Sequence, residues 1–140
     1  MAQTQKWVFL ADPTDYGYPE LAARTNDVWD GVKNARAQSN MRKCRKGDHV
    51  LIYHTAPDKA LVGVAKITGE ARPDPKNADR VVVEVSAVKP LKQPIPLADL
   101  KADAVLSTMS FVRMPRVAVW PVTEEQWARV LEVGGIRLQG

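Results

Sequence analysis

Trp29-Asp30-Gly31-Val32-Lys33-Asn34-Ala35-Arg36-Ala37 brings a turn, a helix start and a solitary indole into one short stretch. Asp30-Gly31 marks a turn, because glycine accepts backbone angles that other residues avoid and a short acid bonds its own backbone. Beyond it, Ala37, Met41 and Cys44 recur at steps of four and three. That spacing lays them on one stripe and predicts a helix from about Asn34 to Cys44. Trp29 stands before the turn in a loop beside cations, where an indole can stack on a base.

The charge around this helix is one-sided. Lys33, Arg36, Arg42, Lys43, Arg45 and Lys46 lie between Gly31 and Gly47 with no acid among them. The chain carries +4, yet without those six residues 14 basic side chains face 16 acidic ones. All the excess positive charge is therefore local, the electrostatic footprint of polyanion binding. A solvated helix face reads the same way, and cations near a helix C-terminus are favoured by its dipole.

On the N-terminal side, Lys6 to Ala11 is an apolar run stopped by Asp12-Pro13, which predicts a buried strand. Pro19 opens a short helix to about Arg24. On the C-terminal side, strands are expected at Asp48–His54, at Leu61–Thr68 with Gly63 inside it, at Val81–Val88 and at Val117–Trp120. An interior glycine marks a bulge or a close backbone approach. Ala71 to Arg80, polar and with two prolines, reads as a loop. Leu97 and Leu100 predict a short helix, and Thr123-Glu124-Glu125-Gln126 is a capping box opening a last one, which Gly134-Gly135 stops. Strands and short helices mix without regular alternation. That predicts an α+β mixed β-barrel of five to six strands with peripheral short helices. One domain is expected over residues 1–140, its core about 6–131 and residues 132–140 a frayed tail.

Several chemistries lack support. The eight glycines form no phosphate-binding loop. His49 and His54 are five apart on one strand and point to opposite faces, so no metal is expected between them. Cys44 sits among cations that favour a thiolate, but it also lies on the apolar helix face, and a buried structural cysteine is the better reading. It cannot form an internal disulfide, being the one cysteine. The acid pairs Asp12/Asp15 and Asp27/Asp30 lie in turns, where Asp bonds local backbone. No catalytic set can be named, no cofactor is implied, and no apolar run approaches membrane length. A cytoplasmic monomer is expected, or a nuclear one in a eukaryote.

The opening stretch resembles the WDGVRNYQAR signature of the EVE domain family, and other stretches follow in the family's order. Asp12-Pro13 is similar to its Trp-Leu-Met-Lys-Ser-Glu-Pro, Leu51 to Thr55 to its Phe-Tyr-His-Ser strand, and Val62 to Ala65 to its glycine-containing third strand. Pro94 to Lys101 and Arg116 to Trp127 complete the resemblance, which runs from about Lys6 to Leu131.

The resemblance implies a PUA-like barrel related to YTH domains, and a non-enzymatic module that recognises a modified base in DNA or RNA. Trp29 would be the wall of the base pocket, and Asn34 could read a base edge. Tyr53 and His54 would lie beside the pocket. Leu10-Ala11 replaces the family's Lys-Ser on its floor, which implies a different ligand or weaker binding. Arg113 would close the pocket, while Lys33, Arg36, Arg42 and Lys43 would meet phosphates. A small-molecule or free-nucleotide sensor using the same pocket is the alternative.

Overall fold

Strand β1 (Lys6–Ala11) is the expected apolar run, with every residue after Lys6 buried. It lies inside the sheet, parallel to β3 (His49–His54) and antiparallel to β6 (Val119–Val122). With β2 (Asp27–Trp29), β4 (Ala60–Asp74) and β5 (Asn77–Pro96) they form one six-stranded sheet, ordered β2-β5-β4-β3-β1-β6. Burial on both faces explains why β1 reads as an unbroken apolar run. This computed structural model describes residues 5–24 and 26–138. The first four residues and the last two of the expected tail lie outside the described residues.

Among the described residues five short α-helices decorate the sheet: α1 (Tyr18–Ala22), α2 (Ala35–Met41), α3 (Leu97–Ala102), α4 (Ser110–Arg113) and α5 (Glu124–Gly134). The capping box of α5 forms as the sequence predicts. Thr123 Oγ1 accepts from the Gln126 N–H at 3.1 Å, and Gln126 Oε1 accepts from the Thr123 N–H at 3.0 Å. The α+β class with short peripheral helices is as expected.

The sheet, however, is open and not a closed barrel. Trp29 on edge strand β2 brings its ring centroid within 5.5 Å of Phe9 on β1, near the other edge. The sheet thus curls back towards itself, but β2 pairs with β5 and β6 with β1, leaving a seam between the edges. The cause is local: β2 is three residues long and is followed by Gly31 at φ +78°, which turns the chain away before a ladder can close. Helix α2 spans the seam with side chains. Gln38 donates from Nε2 to the Val32 and Val81 carbonyls and accepts from the Val81 N–H, while Asn40 Nδ2 donates to the Val119 carbonyl. The apolar stripe of the predicted helix faces inward, with Ala37, Met41 and Cys44 all buried.

Two further expectations change. Residues 71–80 are not a loop: β4 and β5 continue to Asp74 and from Asn77 as one long hairpin. Register shifts, including one at Pro73/Asp74, accommodate the irregular residues. The expected fraying from residue 132 gives way to helix as far as Gly134. There Gly135 caps it at φ +73°, and Ile136 returns to the core.

Candidate functional site

A cavity of about 580 Å³ opens at the seam, within the range of small-ligand sites. Its lining comes from both edges of the sheet. Leu10, Ala11 and Asp12 come from the end of β1, Val28 and Trp29 from β2, the backbone turn 30–34 from the approach to α2, and Arg116 and Ala118 from the approach to β6. Asp15 and Tyr16 close one side. The Leu10 N–H donates to the Ala118 carbonyl at 2.9 Å, which fixes the two floor segments together.

Trp29 and Tyr16 are the aromatic residues of this wall, and neighbouring rings hold the indole. Tyr16 meets it edge-on at 6.2 Å and Phe9 packs at 5.5 Å. It belongs to a strand and not a loop, and it is 8% exposed, so packing fixes the indole in the wall. Tyr16 in turn donates from its hydroxyl to Asp27 Oδ2 in a short hydrogen bond. Burial, aided by that bond, pushes the Tyr16 phenol up to about 12, while the bond holds Asp27 below the usual carboxylate range. Tyr16 therefore stays a neutral donor at physiological pH.

The cavity is not basic. Asp12, Asp15, Asp27 and Asp30 line it against Lys33 and Arg116. Asp12 does bond its local turn, as acids in turns do, accepting at Oδ1 from the Thr14 N–H and hydroxyl. These bonds lower its pKa, the Thr14 hydroxyl contributing most. Local bonding and a place in the cavity wall are compatible.

Of the expected site residues, Leu10, Ala11, Trp29, Lys33 and Asn34 line the cavity. Asn34 is the N-cap of α2: its Oδ1 accepts from the Arg36 and Ala37 N–H groups at 2.9 and 3.0 Å. The acceptor half of this amide is engaged by the helix, so the donor half is what it can offer a ligand.

Tyr53 and His54 do not reach the cavity, although they pair in register with Leu10 and Ala11. Tyr53 packs on Phe111 with centroids 4.8 Å apart. His54 accepts the Tyr18 N–H at Nε2, which leaves its ring proton on Nδ1, 3.0 Å from Asp58 Oδ2. His49 lies elsewhere, against Trp127, so the two histidines share no site.

The remaining cations divide. Arg113 ends α4 and does not line the cavity; Arg116, two residues after Met114, takes that position. Arg36 stacks its guanidinium 4.7 Å from the Trp120 ring centroid. Arg42 donates to the Asp79 carbonyl at 2.9 Å, and Lys43 is exposed. Arg116 was hidden in the sequence because nothing in Arg113-Met114-Pro115-Arg116 says which arginine borders the cavity. Cys44 is buried, and burial pushes its thiol well above the usual range, the opposite of what its cationic sequence neighbours suggest.

Comparison with known proteins places these observations. The family profile described as EVE domain matches residues 5–133. Chicken (Gallus gallus) thymocyte nuclear protein 1 is 26% identical over 145 residues, covering 84% of this chain. The chain spans about 60% of that relative's length. The NMR structure of a Rhodopseudomonas palustris protein superposes with a TM-score of 0.90 at 35% identity, covering 97% of each chain. The crystal structure of human THYN1 protein in complex with 5-methylcytosine containing DNA shares the fold, with a TM-score of 0.83 at 22% identity, covering 96% of this chain and 100% of that one.

Proposed function

The chain belongs to the EVE domain family, and on that premise we propose that it is a non-enzymatic module holding a modified or flipped base of a nucleic acid against Trp29. The observation that carries this reading is the cavity itself: an indole wall, an apolar floor of Leu10 and Ala11, and polar groups gathered from the turn 30–34. A flipped base needs such a flat apolar wall together with a few groups for its edge. The human THYN1 complex with 5-methylcytosine containing DNA supports the same ligand class.

The carboxylates refine the reading. Aspartate accepts from the exocyclic amine of cytosine, whereas thymine presents a carbonyl at the same place. A cavity holding Asp12, Asp15, Asp27 and Asp30 favours an amino base, and the apolar floor, lacking a cation and a hydroxyl, suits a methyl group. Lys33, Arg116, Arg36 in α2 and Lys43 just after it meet the backbone phosphates outside.

Fluorescence anisotropy of labelled oligonucleotides tests this, comparing cytosine, 5-methylcytosine and thymine at one position at low and moderate salt, beside Trp29→Phe. The expected result is preference for the methylated cytosine, affinity falling with salt, and weaker binding by the variant, since stacking contributes ~1–3 kcal/mol per base. Equal weak binding to all three strands would overturn the reading. Salt-insensitive binding of a free nucleotide in place of the strand would make the protein a small-molecule sensor.

A further inference from the structure

Met114 is 47% exposed, one of two large apolar side chains so exposed among the described residues. A single exposed methionine is ordinary by itself. Its setting is not. It lies in Arg113-Met114-Pro115-Arg116, exposed throughout, and Arg116 already belongs to the cavity wall.

The segment is held rather than loose. The Met114 N–H donates to the Ser110 carbonyl at 3.0 Å. Its own carbonyl accepts from Trp120 Nε1 at 3.3 Å and from the Val117 N–H at 3.4 Å. Pro115 restricts the next backbone dihedral. The same Trp120 ring carries the Arg36 guanidinium, 4.7 Å from its centroid. An apolar tip is thus presented at the rim of the cavity, with arginine before it, arginine after it and a third beside it.

Removing a base from a duplex leaves a gap and costs the stacking of its neighbours. Proteins that do this refill the gap with an apolar side chain and hold the flanking phosphates with cations. Methionine is unbranched and polarizable, so it fills irregular gaps well. We propose that Met114 is the wedge that enters double-stranded DNA when a base swings into the cavity, with Arg113 and Arg116 on the adjoining phosphates. This rests on the base-binding reading above and adds the partner's form: a duplex, since a single strand needs no wedge.

The test measures Met114→Ala and Met114→Leu against two probes. One is a short DNA duplex carrying 5-methylcytosine with 2-aminopurine as its neighbour, and the other is the 5-methylcytosine strand alone. Met114→Ala is expected to weaken duplex binding about tenfold, to leave single-strand binding unchanged, and to suppress the 2-aminopurine fluorescence rise that reports unstacking. Met114→Leu is expected to restore both duplex readouts. Melting curves of both variants should match the parent, as the side chain is exposed. No effect of Met114→Ala on the duplex, or an equal effect on both probes, would overturn the wedge while leaving the base-binding reading intact. So would a parent protein that binds the strand but not the duplex. A parent that binds neither probe would overturn both.

Discussion

The Tyr18 ring occupies the space a side chain at residue 63 would need: a β-carbon there would stand 2.4 Å from the ring carbon Cε1. The ring lies across the hairpin at a bulge in β4, and its hydroxyl donates to the Val64 carbonyl at 2.8 Å. Gly63→Ala is expected to destabilise the protein by about 1–3 kcal/mol in urea unfolding, the usual cost of overpacking. Tyr18→Phe keeps the ring and gives up the hydrogen bond, so its expected cost is about 1 kcal/mol. A Gly63→Ala protein as stable as its parent would show that the ring can move aside.

Gln38 is buried at 5% exposure and satisfies both backbone groups of Val81 as well as the Val32 carbonyl. Gln38→Ala strands those groups at the seam and is expected to cost about 1–3 kcal/mol. Amide hydrogen exchange at Val81 should accelerate more than global unfolding predicts. Unchanged protection there would count against the bridging role of α2.

Arg129 grips Asp103 with Nε at 2.9 Å and Nη2 at 2.7 Å, and the Val105 and Leu106 N–H groups donate to the other oxygen. The Arg129 bond foremost, then these backbone donors, hold the carboxyl at about 2. A folded-state pKa below the unfolded one means that the contribution is complete above the ordinary carboxylate range and fades as pH falls through about 2. Asp103→Asn should therefore melt below its parent at neutral pH, with the gap narrowing on acidification. Thermal melts across a pH series check this, and a gap constant with pH would refute it.

Lys33 lines the cavity, whereas the Arg42 guanidinium is tied to the Asp79 carbonyl. Lys33→Ala is expected to lower the slope of log affinity against log salt by about 1 for a bound oligonucleotide. Arg42→Ala should change that slope less. Equal changes would place both cations on the phosphates.

Features set by local spacing were legible in the sequence: the stripe of α2, the capping box of α5, the strand at β1 and the close approach at Gly63. That Trp29 lines the cavity followed from the resemblance of its stretch to the family signature, while the neighbouring turn suggested a loop where a strand forms. Properties fixed by distant partners were not. Nothing near Tyr53 shows that Phe111 claims its ring, nor near His54 that the Tyr18 N–H claims its nitrogen. Prolines 73 and 75 argued for a loop because a single chain does not reveal which register shifts its partner strand will absorb. Closure of the barrel was likewise a question of whether a three-residue edge could meet a four-residue one.

The cavity is built entirely from residues 10–34 and 116–118, with no lining residue between them. During synthesis the first group leaves the ribosome long before the second. Strand β1 has β3 on one side and gains its other neighbour only when β6 has emerged. The cavity therefore depends on two segments far apart in sequence, and a product lacking residue 116 onwards would carry the signature stretch without the Arg116 and Ala118 that complete the wall.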